Sequence, residues 1–86
     1  MKKSVSVEKM INNAYRMCAR DPVENEQGIR TLMIRCHSII ATLLTLEAIE
    51  YDEYIGMRGD LETICVRRHK ELEGIERWKQ SRVQQR

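Results

Sequence analysis

This 86-residue chain has no phenylalanine, takes 5% of its residues from aromatics and contains one proline. Sheets are built from alternating runs of β-branched and aromatic residues, and no such run occurs, so a strand-based domain is excluded. Disorder is excluded as well, because 42% of the residues are hydrophobic. Long apolar runs are also missing. The longest uncharged stretch, Ser38 to Leu46, would reach only about 14 Å as helix and is closed by Arg35 and Glu47. A bilayer needs ~20 apolar residues, so no membrane contact is expected. Lys2 and Lys3 precede no apolar segment that would make a secretory signal.

The chemistry-bearing motifs are equally sparse. There is no glycine-rich phosphate loop, no nucleophile elbow and no HExxH, and His37 and His69 lie far apart in the chain. This predicts a protein that is not an enzyme and carries no cofactor. Three cysteines form an odd set without disulfide spacing, which fits a reducing cytoplasm where Cys acts as a small buried hydrophobe. Net charge is +2, too small to argue for nucleic acid by itself. Its distribution is uneven: +3 over residues 1–46, −5 over 47–62 and +4 over 63–86.

What is present is helical spacing. Val7, Met10, Ile11, Ala14, Tyr15 and Cys18 follow an i, i+3, i+4, i+7 pattern after Ser4 and Ser6, two candidate caps, and predict a helix over about 6–19. Asp21-Pro22 reads as a stop and restart, with Asn25 as an alternative cap, and a second helix is expected over about 22–54. Its apolar positions, from Ile29 through Leu32, Met33, Cys36, Ile39, Ile40 and Leu43 to Leu46, fan across roughly 160°, wider than a single neighbour needs. The string from Tyr54 to Asp60 contains Gly56 and Gly59 and reads as the turn into a third helix over about 60–79, with 80–86 a polar basic tail. One helix running through both glycines is the alternative, at a cost of about 2 kcal/mol.

The expected fold is therefore all-α, a single three-helix domain whose second and third helices form an antiparallel hairpin. So small a core leaves about 3–5 kcal/mol, so association into a helical-bundle or coiled-coil homodimer is expected through Leu32, Ile39, Ile40, Leu43 and Leu46. Glu47 and Arg68 interrupt apolar stripes and, with a turn at 56–59, would meet as a structural ion pair. Cys36-His37 and Cys65 with His69 supply zinc-type ligands, but that turn sets them ~20 Å apart, so no metal is expected unless two chains share it. Tyr54, Met57, Arg58 and Trp78 are interface-type residues in or beyond the acidic segment. Arg67, Lys70, Arg77, Lys79 and Arg82 could contact phosphates, although Glu71, Glu73 and Glu76 interleave with them. The function expected is a helical protein-binding module, an adaptor, inhibitor or regulator, that binds itself and another protein. A nucleic-acid-binding regulator and an inter-chain zinc protein are the alternatives.

Overall fold

The computed structural model describes residues 4–84, with the backbone alone for residue 76 and residues 78–84. It contains α1 (Val5–Arg20), α2 (Glu26–Thr45) and α3 (Tyr51–Gln84), and no strand among the described residues. The Ser4 side chain accepts from the Val7 N–H at 3.2 Å and so caps α1. Helix α2 starts at Glu26 and not at Pro22. Asn25 supplies the cap, its side chain accepting from the Gly28 N–H at 2.9 Å, and the four residues before it form the connection.

The chain reverses ten residues earlier than the glycines suggest. After Thr45 the Ala48 N–H donates to the Leu43 carbonyl at 2.8 Å and the Glu47 N–H to the Leu44 carbonyl at 3.0 Å. This double closure satisfies carbonyls at the end of α2 and requires a left-handed residue between, here Glu47 at φ 58°. The Glu50 N–H then donates to Glu53 Oε1 at 3.2 Å, and Asp52 and Glu53 place negative charge at the start of α3. Helix α3 passes through Gly56 and Gly59 without interruption, and an added Cβ at either would meet nothing within 4 Å. The expected turn at 54–60 and the helix boundaries at 54 and 60 are thus corrected. Both glycines are exposed helical residues that interrupt nothing.

Helices α2 and α3 pack antiparallel, with Glu26 beside His69, and α1 lies along both. Their shared core holds Ala14, Cys18, Ile29, Leu32, Cys36, Ile40, Leu61 and Cys65. Most of the wide face of α2 is covered inside the chain by α1 and α3, while Leu46 at its end stays exposed. The body measures 61 × 20 × 17 Å. At 1.5 Å per residue α3 runs about 50 Å and α2 about 30 Å, so the last turns of α3 project beyond the bundle.

Two substitutions separate this hairpin from one turning at the glycines. Glu47→Gly relieves left-handed strain and Gly59→Ala removes a helix-interior glycine, so each should stabilise the protein by about 1 kcal/mol in urea unfolding. A turn at 56–59 requires the opposite: loss at Gly59→Ala and no gain at Glu47→Gly.

Candidate functional site

The face of the α2/α3 pair away from the α1 contact carries an open groove in two adjoining stretches. One, of about 450 Å³, is lined by Arg30, Met33, Ile34, His37, Ser38, Ala41 and Tyr54. The other, of about 360 Å³, shares Arg30 and Met33 and continues past Ile29, Cys65, Val66 and His69. Ile34 and Val66 are 67% and 55% exposed, and Ile55 lies uncovered on the same helix as Val66. The Nε2 of His37 is enclosed without a hydrogen-bond partner, the only such side-chain nitrogen or oxygen among the described residues. Polar groups at the groove are otherwise engaged: Arg30 donates to Glu26 at 3.0 Å, and His69 lies 3.6 Å from Glu26 and 3.4 Å from Glu73.

Beneath the groove the three cysteines converge, one from each helix. The Cys18 and Cys65 sulfurs are 3.1 Å apart, and Cys36 Sγ donates to the Ala14 carbonyl at 3.3 Å. Burial pushes all three thiols up. The thiol of Cys65 reaches about 12, through desolvation first and then its contact with Cys18. A catalytic thiol needs the reverse, a thiolate at neutral pH beside a base, and both nitrogens of His69 face carboxylates. The expected ~20 Å between Cys36 and Cys65 is corrected, since it rested on the misplaced turn. Cys36 is fully enclosed, and Cys65 is 4% exposed where it lines the groove. No group of three or more His, Cys, Asp or Glu among the described residues is arranged to hold a metal ion.

Arg68 has a different partner from the one expected. Its guanidinium donates to the Cys18 carbonyl at 2.9 Å and to the Asp21 carbonyl, gripping the open C-terminal end of α1. Glu47 sits exposed in the turn, about seventeen residues of helix rise from Arg68 and so roughly 25 Å away. The Glu47–Arg68 ion pair is therefore absent. A further polar contact between α1 and α3 is Tyr15 Oη donating to Asp60 Oδ2 at 2.6 Å. Burial, followed by that carboxylate, raises the Tyr15 phenol.

The remaining expected site residues divide by burial. Leu32, Ile40 and Leu43 are core and unavailable to a partner, and Ile39 is partly buried against it. Leu46 is 70% exposed at the turn. Tyr54 and Met57 pack on the core, with Tyr54 also lining the groove, and Arg58 is exposed beside Glu62 at 3.5 Å. Arg67, Lys70 and Arg77 are exposed on α3, whereas the side chains of Trp78, Lys79 and Arg82 lie outside the described residues. Sequence reasoning passed over Ile34 and Val66. Their signal was an apolar residue on the otherwise polar face of its helix. Comparison with protein-family models, curated proteins and solved structures found no match.

Arg68→Ala should cost about 2 kcal/mol by leaving helix-end carbonyls unpaired, with Arg68→Lys recovering only part because one ammonium replaces a planar fork. Glu47→Ala should change stability by less than about 0.5 kcal/mol, and a loss matching that of Arg68→Ala would restore the ion pair. The thiols and Tyr15 bind protons more tightly folded than unfolded. Stability should hold below pH 9, the ordinary thiol value, and fall as pH rises toward about 12. Urea midpoints at pH 7, 9 and 10 check this, and Cys65→Ala should flatten the decline.

Proposed function

We propose that this chain is a non-enzymatic helical protein-binding module, a small adaptor or regulator, whose docking face is the groove between α2 and α3. The observation that carries this reading is the groove itself, walled by apolar side chains that α1 leaves uncovered. An amphipathic helix laid there would occupy the vacant position of a four-helix arrangement and bury Ile34 and Val66. It could also bring a polar group to His37 Nε2, whose unpaired state costs about 1–3 kcal/mol.

Charge supports a second copy of the chain as occupant. The first third of α3 lies in the segment of net charge −5, and the next turns carry exposed Arg67 and Lys70. Two copies meeting antiparallel along this face would set acidic stretch against basic stretch twice, as a two-fold contact requires. The occupied face differs from the Leu32, Ile40 and Leu43 face expected from sequence, which is spent inside the chain. An odd cysteine count without disulfide spacing supports a reducing, cytoplasmic setting. Exposed Arg67, Lys70 and Arg77 support phosphate contact as a second reading, which retention on a polyanion column with steep salt release would favour.

Light scattering at micromolar concentrations should give a dimer. Val66→Glu and Ile34→Glu should shift it to monomer with unchanged helical circular dichroism, because both side chains are exposed in the single chain. A wild-type monomer up to about 100 μM would reject the second copy. The groove would then be left to a helix of another protein.

A further inference from the structure

The chain's entire cysteine complement meets in one small core, although the three residues are far apart in sequence. Cys18 and Cys65 are 47 residues apart, and their sulfurs sit 3.1 Å from each other across the α1/α3 contact. That is about 1 Å from disulfide bonding distance, a gap that small rotations of two side chains can close. The third thiol stands beside this pair, but its sulfur donates to the Ala14 carbonyl at 3.3 Å and makes no sulfur contact as short as the one between Cys18 and Cys65. Access is one-sided as well. Cys18 and Cys36 are fully enclosed, whereas Cys65 is 4% exposed and forms part of the groove between Ile29, Met33 and Val66.

We propose that Cys18 and Cys65 are a peroxide-oxidisable pair that forms a disulfide between α1 and α3 and leaves Cys36 as a free thiol. Peroxide reaches the Cys65 sulfur through the groove. Attack of that sulfur on one peroxide oxygen breaks the O–O bond and gives a sulfenic acid with release of one water. Cys18 then attacks the Cys65 sulfur, the S–S bond forms, and the S–O bond breaks with release of a second water. In total two thiols lose two protons and two electrons while one hydrogen peroxide becomes two waters. Because the thiolate is the attacking species and burial keeps these thiols protonated, the reaction is slow at neutral pH and quickens as pH rises. The second step has its nucleophile already in contact, so the sulfenic acid is captured before further oxidation.

The bond would staple the first helix to the third. Closing a loop of this length removes much of the unfolded chain's freedom, and a small domain gains most from such a link. Cys65 itself lines the groove between α2 and α3, so the link secures the scaffold that presents it.

Folded wild-type protein treated with hydrogen peroxide and then alkylated without reduction tests this by peptide mapping. The expected result is an intramolecular Cys18–Cys65 linked peptide, alkylated Cys36, and a Tm higher by roughly 10 °C or more that dithiothreitol reverses. Cys36→Ala should keep the linked peptide and the Tm shift, and Cys65→Ala should lose both. Formation should be roughly a hundredfold faster at pH 9 than at pH 7, following the thiolate fraction. A bond involving Cys36, an intermolecular link, Cys65 carried to the sulfinic acid with Cys18 still reduced, or three free thiols under conditions that oxidise the urea-unfolded chain would each overturn the proposal. The wild-type map decides this even where a variant fails to fold.

Discussion

The reversal at Leu43–Ala48 is the constraint on which the rest of this structure depends. An antiparallel helix pair has one adjustable register, set by where the chain turns, and each residue of delay moves every cross-pair by two. Two backbone hydrogen bonds around a left-handed Glu47 terminate α2, and the Glu50–Glu53 contact starts α3 after a connection of five residues. From that geometry Cys65 is set against the first turns of α2, by Ile29 and Met33, and His69 is brought level with Glu26. Arg68 arrives at the end of α1, where two carbonyls lack donors. A non-glycine residue tolerates positive φ here because the helix-end carbonyls are satisfied only by this turn.

With register set, the asymmetry of the bundle follows. Helix α1 is sixteen residues long and covers one side of the α2/α3 pair, holding it through Ala14, Cys18 and the Tyr15–Asp60 hydrogen bond. The opposite side has no fourth helix. Apolar residues there, Ile34 and Val66, stand beside Arg30 and Glu62 at the groove wall. The small cysteines at the centre let three helices approach closely, a use of Cys that needs no redox chemistry and leaves the sulfurs in contact.

Much of the architecture was legible from spacing alone. The 3.6-residue period gave the existence, order and type of all three helices, and the excess width of the α2 stripe correctly demanded two neighbours. Leu32, Ile40 and Leu43 of that stripe are buried within the chain itself. The position of the turn was not legible, because Glu47 carries no signal of left-handed backbone while Gly56 and Gly59 carry a false one. That single displacement of about ten residues moved the expected partner of Cys65 by about twenty. It produced an ion pair that does not form and hid a thiol cluster that does. The groove was illegible for a different reason: Ile34 and Val66 are single apolar residues on polar faces, a pattern that surfaces commonly show.

The register of α2 against α3 is best tested by a distance. Spin labels at Gln27 and Lys70, both exposed, stand on neighbouring turns of packed helices roughly 10 Å apart between axes, so their separation in solution should be under about 20 Å. A reversal at 56–59 would place Lys70 opposite the end of α2, about 27 Å of helix rise from Gln27. A narrow distribution below 20 Å is the expected result, and one centred beyond about 30 Å would contradict the account.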